Sequence, residues 1–440
     1  MSHRYFPHTA EDVQHMLDVC GAKSIMDLYA DVPEQLRLGR NYNLPAARDE
    51  QQVRRQFAAL QNSAMECFAG AGAYAHFCPA VVDSIVSRSE YLTSYTPYQS
   101  EISQGTLQYI FEYQSMLAQL TAMDVCNASM YDGATASAEA IIMAVNATRK
   151  RRRALVSATL NPDVIDVMRT YARYHRIDLD LIPEADGVTD LAAMEQLLQK
   201  GDVAAVVLPQ PNYYGIVEDL SGVADKVHAA KALLVINSPA SPLAVIRPAG
   251  EWGADIAVGD AQSLGMPLCV GGPYLGYMCC TKALMRKIPG RIVGATTDKN
   301  GQRTFVLTLQ AREQHIRREK ATSNICSNQG VMTLRAAIYL SLLGNEGLRQ
   351  VNAISADKAH RLASALVATG KARLAFPDKP FLHEFAIDLQ GVSAQQVIDA
   401  LVAKGILAGV AIADNRLLVA ATECCSEEAI QTYVSTLANL

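Results

Sequence analysis

The run Asp255-Ile256-Ala257-Val258-Gly259 is apolar and strand-like, and a polar turn follows it: Asp260-Ala261-Gln262-Ser263-Leu264-Gly265-Met266-Pro267. The end of a strand entering such a turn is where a sheet presents side chains to a ligand. A lysine amine there would condense with a carbonyl. Gln262 holds the position instead, and an amide forms no imine. A second strand end, Val235-Ile236-Asn237-Ser238-Pro239, carries another amide, Asn237. An acid at that position would hold a positive charge on a bound ring; a neutral amide would not.

Pyridoxal enzymes of this layout place their Schiff-base lysine in the first position. In the second they place the aspartate that keeps the pyridine nitrogen protonated. Both groups on which that electron sink depends are amides here. A third segment is Tyr131-Asp132-Gly133-Ala134-Thr135-Ala136-Ser137-Ala138-Glu139, ahead of an apolar helix. Its free N–H groups at Asp132, Gly133, Ala134 and Thr135 suit a phosphate. The local sequence suits an ordinary N-cap at Asp132, Thr135 or Ser137 better than a phosphate cradle. Leu208-Pro209-Gln210-Pro211-Asn212-Tyr213-Tyr214-Gly215 reads evenly as a ligand-binding strand end or as a tight turn. The tyrosine-rich run from Tyr91 to Gly105 has neither helical nor strand period. Tyrosines in loops serve interfaces, where the ring buries area and the hydroxyl keeps a hydrogen bond; the alternative is an exposed connector.

Two charge runs have plain readings. Arg149-Lys150-Arg151-Arg152-Arg153 places cations at a helix C-terminus, and 312–320 mixes both signs at helical spacing, as an exposed helix does. The chain of 440 residues is half apolar, 19% charged and of net charge −5, a globular composition without attraction to nucleic acid or anionic membrane. Ten cysteines show no metal spacing and read as reduced, mostly buried thiols. The amino-terminal residues lack the apolar run of a secretory signal, and the uncharged stretch 261–281 has too many glycines and prolines for a membrane helix. A soluble, cytoplasmic protein is expected.

Three regions must position these residues. Residues 1–65 read as a helical arm, with Thr9-Ala10-Glu11-Asp12 as its first capping signal. Residues 66–325 alternate helices with apolar strands at 154–157, 179–182, 204–208, 233–236, 255–259 and 274–280. This is the pattern of an α/β domain with a mostly parallel sheet covered on both faces. Residues 326–440 read as a smaller α+β domain.

With those segments in view, the chain resembles the glycine cleavage system P-protein family, and within it the first, N-terminal subunit of the two-subunit form. The resemblance rests on Arg4-Tyr5-Phe6-Pro7-His8-Thr9, Ser89-Glu90-Tyr91 through Gln108, and Met123-Asp124-Val125 through Thr135. Gln262-Ser263 with Gly271-Gly272-Pro273, and Arg312 through Cys326, complete it. It implies the pyridoxal-phosphate-dependent transferase fold (aspartate aminotransferase-like, fold type I). It also implies an α2β2 assembly whose second subunit carries the pyridoxal phosphate on a His-Lys-Thr-Phe loop, where this chain reads Ala261-Gln262-Ser263-Leu264. The implied reaction of the complex takes glycine and the lipoyl arm of the H protein to carbon dioxide and an aminomethyl-loaded lipoamide. No catalytic residue is then expected on this chain. The expected site-completing residues are Tyr95, Thr96, Tyr98, Gln99 and Glu101. The competing readings are a stand-alone pyridoxal lyase using Lys282 or Lys320, and a scaffold or regulator without catalytic duty.

Overall fold

The computed structural model describes residues 5–60, 65–92, 95–148, 151–269 and 271–440. The chain divides into two compact units, Met1–Ser63 and Ala64–Leu440.

In the first unit, the helix Ala10–Cys20 begins at a capping box. Thr9 Oγ1 accepts from the Asp12 N–H, and the Asp12 carboxylate accepts from the Thr9 N–H. Gly21, at φ 66°, ends it in the left-handed conformation that glycine adopts at least cost. A 3₁₀ turn Ile25–Tyr29 and the helix Glu50–Leu60 follow. Leu17 is the one buried apolar side chain among this unit's described residues.

The second unit is built on a seven-stranded sheet: β1 (Val125–Cys126), β2 (Arg153–Ser157), β3 (Asp178–Ile182), β4 (Val203–Pro209), β5 (Leu233–Asn237), β6 (Ile256–Asp260) and β7 (Gly276–Cys280). Their order is β1-β7-β6-β5-β4-β2-β3. Strands β2 to β6 pair in parallel, while β7 runs antiparallel to β6 and β1. Alternate residues enter opposite cores. Val206 and Leu208 of β4, Leu234 and Ile236 of β5, and Tyr277 and Cys279 of β7 face one cluster, with the helix Gln104–Thr121. Val207, Val235, Met278 and Cys280 face the other, under the helices Gly133–Thr148 and Pro162–His175. Complete burial of each valine or leucine is worth about 1.5–3 kcal/mol, which accounts for the unbroken apolar strands.

A hairpin, Ile292–Thr297 with Arg303–Thr308, is stitched to the helix Gln104–Thr121 by two glutamines. Gln114 exchanges both of its amide bonds with the Val293 backbone, and Gln104 does the same with Phe305. The helix Gly330–Ala368 breaks at Gly344, whose φ of 59° is non-helical, and continues into a four-stranded antiparallel sheet. That sheet, with the helices Ala394–Val402 and Glu427–Ala438, encloses a third core around Phe385, Leu417 and Tyr433.

The segment 312–320 departs from the expected exposed helix. Three short turns, Gln310–Arg312, Gln314–Arg317 and Arg318–Lys320, replace it, with Arg318 at φ 56° where the third begins. The physical reason is Glu313. Its side chain is buried beside Arg291, so the segment is held inward at one point and cannot present a continuous solvent face. In the other charge run, Arg149 and Lys150 lie outside the described residues. Arg151 donates to the Val203 and Ala230 carbonyls, Arg152 donates to the His175 and Arg176 carbonyls, and Arg153 pairs with Asp180. All ten cysteines are unpaired, but only Cys126, Cys279, Cys280 and Cys425 are buried, fewer than expected. Among the described residues no helix is long and apolar enough to cross a membrane.

Candidate functional site

The carboxyl edge of the sheet brings the two amides and the Asp132 turn into one bonded patch. Gln262 follows β6 by two residues and is 1% exposed. Its Oε1 accepts from the Tyr74 N–H at 2.9 Å, and its Nε2 donates to the Tyr74 and Met266 carbonyls at 2.9 and 2.8 Å. Both amide hydrogens are therefore committed to backbone, and the side chain serves as a clamp between two loops. The close approach of β6 to β5 demands Gly259, because a Cβ there would lie 1.7 Å from the Ser238 carbonyl oxygen.

Asp260, the last residue of β6, accepts from the Gln262 N–H at 2.7 Å and from the Gly133 N–H at 3.1 Å. Burial pushes its carboxyl up to about 7 against the pull of those donors. Asp132 caps the helix Gly133–Thr148 by accepting from the Thr135 N–H at 2.8 Å. The start of this helix thus already faces two carboxyl groups of the chain itself. At Gly133 a Cβ would lie 2.8 Å from the Asp260 backbone nitrogen. Asn237, ending β5, donates through Nδ2 to Ser137 Oγ at 2.7 Å, and Ser137 donates to the Gly133 carbonyl.

These residues do not fit covalently held pyridoxal phosphate. No amine stands at the Gln262 position, no acid stands at Asn237, and Asp132 and Asp260 would repel a phosphate at the helix start. Lys282 opens a 3₁₀ turn beyond β7, and Lys320 lies in the 312–320 turns.

The Pro209–Gly215 strand end closes on itself as well. Gln210 exchanges bonds with the Glu218 backbone, and the Asn212 amide donates to the Glu218 carboxylate at 2.8 Å. This is the tight turn rather than an open ligand site.

Two buried titratable groups near Gln262 were not singled out in the sequence. Glu384 accepts from the Ala71 N–H and from the Tyr74 hydroxyl, and burial pushes its carboxyl up to about 7. His383 is pushed down to about 3, first by burial and then by neighbouring His76. His76 itself meets Glu423 at 2.8 Å. The His383-Glu384 pair opening an alternating strand was the one signal for them; Glu384 finds its partners, whereas neither His383 ring nitrogen has one among the described residues.

The tyrosine-rich loop lies elsewhere and is loosely held. Thr93 and Ser94 are outside the described residues. Tyr95 is 88% exposed, its hydroxyl meeting Ser327 Oγ at 2.9 Å. Tyr98, 53% exposed, accepts from Arg291 Nη2 at 3.1 Å, and its ring lies 6.4 Å from that of His315. Thr96 Oγ1 is buried without a partner. The side chains of Gln99 and Glu101 make no hydrogen bond or ion pair among the described residues. Arg291, which the sequence did not mark, is itself buried; its Nε and Nη1 make no hydrogen bond among the described residues, and Nε lies 3.9 Å from the Glu313 carboxylate.

A family model described as "Glycine cleavage system P-protein" matches residues 3–437. The chain belongs to the glycine cleavage system P-protein family. Within that family it is 46% identical to the probable glycine dehydrogenase (decarboxylating) subunit 1 of Geobacillus kaustophilus, over 99% of both chains. It is 44% identical to the protein so named from Listeria monocytogenes, over 99% of this chain and 98% of that one. A crystal structure of glycine decarboxylase (P-protein) of the glycine cleavage system, in inhibitor-bound form, superposes with a TM-score of 0.89 at 41% identity. That match covers 99% of this chain and 100% of the other. An alanine–glyoxylate aminotransferase from Nostoc, at 16% identity and a TM-score of 0.62, shares the fold. The α/β architecture of this P-protein family member is thus the aminotransferase-like one expected from the sequence, and the name subunit 1 carried by its relatives implies a second subunit.

Proposed function

We propose that this chain is the subunit of glycine decarboxylase that does not carry the cofactor and that completes the site of a lysine-bearing partner. The complex, an α2β2 assembly, would decarboxylate glycine with pyridoxal phosphate held by the partner and load the aminomethyl group onto the lipoyl arm of the H protein. The observation that carries this reading is Gln262: buried, in the loop after β6, with its amide hydrogens bonded to backbone. The Asn237 and Asp260 side chains beside it are likewise bonded within the chain, and no amine stands there for covalent chemistry.

The first unit, taken by itself, shows the opposite condition. In the first unit Met26, Leu28, Tyr29, Leu44, Phe57 and Leu60 are all more than half exposed. Apolar surface of that extent is stabilised by association. The residues best suited to reach a partner's site are Tyr95, Thr96, Tyr98, Gln99 and Glu101, which combine rings, hydroxyls and unpaired polar groups on one loop.

Borohydride reduction in the presence of pyridoxal phosphate tests the division of labour. The chain alone should give no reduced adduct, and the reconstituted complex should give one, on the partner only. A single stoichiometric adduct on Lys282 or Lys320 would instead establish the stand-alone lyase.

A further inference from the structure

A cavity of about 270 Å³ lies away from the Gln262 patch. Its wall includes Arg286, Lys287, Arg312, Arg317 and Lys320, with Thr322 and Ser323 beside them and one carboxylate, Glu313. No ion pair neutralises any of these five cations among the described residues. Arg312 donates to the Leu309 and Gly290 carbonyls, and Lys287 to the Asn146 carbonyl, so both spend their bonds on neutral acceptors. Arg312 Nη1 is buried and has no hydrogen-bond partner among the described residues. Glu313 is shared with Arg291 at 3.9 Å and His315 at 3.4 Å, so its charge is already divided.

Five cations against one carboxylate is a costly grouping in a chain whose net charge is −5. Such a grouping is stabilised when an anion brings the missing charge. Three features select the kind of anion. Planar guanidinium forks match phosphate oxygens two at a time. The cations come from two separate segments, 286–287 and 312–320, which the fold brings to one cavity wall. The volume lies near the small end of ligand pockets, room for a phosphate and a few further heavy atoms.

We infer that this cavity is a binding site for a phosphate monoester dianion. Its source is either a free small molecule or a phosphate group presented by the second subunit. The site is distinct from the Asp132 turn, where the chain's own carboxyl groups take the place of an anion.

Titration calorimetry of the full chain with inorganic phosphate and with glycerol phosphate tests this. Saturable binding is expected, weakened about tenfold or more by Arg317→Gln or Lys320→Gln, the loss of roughly one charge-assisted contact. Both residues are exposed at the rim, so the fold should persist in the variants. Arg349→Gln, on the surface of the long helix and paired only with Glu346, should leave the affinity unchanged. Repeating the titration on the complex separates the sources. Binding lost only when the second subunit carries its cofactor identifies a phosphate from the partner, and binding retained in both states identifies a free ligand. This second arm rests on the division of labour proposed above; titration of the chain alone does not. Absence of saturable binding at millimolar phosphate, or equal affinity in the rim variants, would overturn the site.

Discussion

The carboxyl edge of the sheet and the surface around the 95–101 loop use similar side chains in opposite conditions. At the edge, amides and carboxyl groups are bonded to one another or to backbone: Gln262 to Tyr74 and Met266, Asp260 to Gly133, Asn237 to Ser137. At the loop, Thr96 Oγ1 is buried without a hydrogen bond among the described residues, Arg291 Nε has only the Glu313 carboxylate at 3.9 Å, and Tyr95 stands almost fully exposed. The edge's own exceptions are Ser238 Oγ and the His383 ring nitrogens. A polar group satisfied within its own chain adds stability and rigidity, whereas an unsatisfied one remains costly until something else binds it. The edge, where a pyridoxal enzyme would do its chemistry, therefore behaves as structure. On the proposed reading, the loop is the region that meets a partner.

The largest effect expected from this contrast is on stability. Gln262→Leu keeps the volume of the side chain but leaves the Tyr74 N–H and the Tyr74 and Met266 carbonyls without partners. Orphaned buried groups cost about 1–3 kcal/mol each, and partial relaxation brings the total to about 3–5 kcal/mol. Denaturant unfolding of the chain followed by circular dichroism would show this as a large drop in midpoint. A change below about 0.5 kcal/mol, within the range of ordinary surface substitutions, would mean that the clamp is not structural.

A pH-dependent effect of the same patch comes next. The folded carboxyl of Glu384 is raised from 4.5 to about 7. The folded chain therefore holds a proton that the unfolded chain has released. Stability from this group is complete below about pH 4.5 and is lost as pH rises to about 7, after which it stays level. Glu384→Gln removes the ionisation while its amide can still accept from Ala71 and donate to the Tyr74 oxygen. Near pH 5 the variant should match the parent; at pH 8 it should be the more stable by about 1–3 kcal/mol, an amount set by the shift. His383, lowered to about 3, acts with the opposite sign, since its contribution is lost as pH falls below about 6.5. It is present in both proteins and cancels in the comparison. Equal differences at pH 5 and pH 8 would show that Glu384 ionises normally.

Much of this contrast was readable in the sequence, in so far as it depends on local pattern. The strands at Ala204–Leu208 and Leu233–Ile236 are apolar without interruption because both of their faces are covered, and the structure places β4 and β5 there. The capping box at Thr9 and the left-handed stop at Gly21 follow from single side chains and their neighbours. Gln262 and Asn237 stood out because the residue type contradicts the position. The bonds that make the edge inert were not readable, since Gln262 reaches Tyr74 and Glu384 reaches Ala71 across long stretches of chain. Arg291 and Glu313 were missed for the same reason. Charged residues read as exposed unless the fold supplies burial, and here the hairpin and the 312–320 turns supply it.

On the open side of the comparison, the expected effect is smaller and falls on activity instead of stability. Gln99→Ala removes an exposed side chain with no partner among the described residues, so unfolding should move by less than about 0.5 kcal/mol. Tyr98→Phe removes the hydroxyl that accepts from Arg291 Nη2, at a cost below about 1 kcal/mol. If the loop completes the partner's site, either change should lower the rate of glycine decarboxylation by the reconstituted complex about five- to tenfold, the scale of one lost hydrogen bond. The two effects must separate: a variant that folds like the parent, assembles with the second subunit and still turns over slowly places the loop at the site. Equal activity in both variants would leave Tyr98 as a structural cover for Arg291 and transfer the search for site-completing residues to the basic cavity beside it. A fall in activity that tracks a fall in assembly would make the loop a docking surface only, because added second subunit would then restore the full rate.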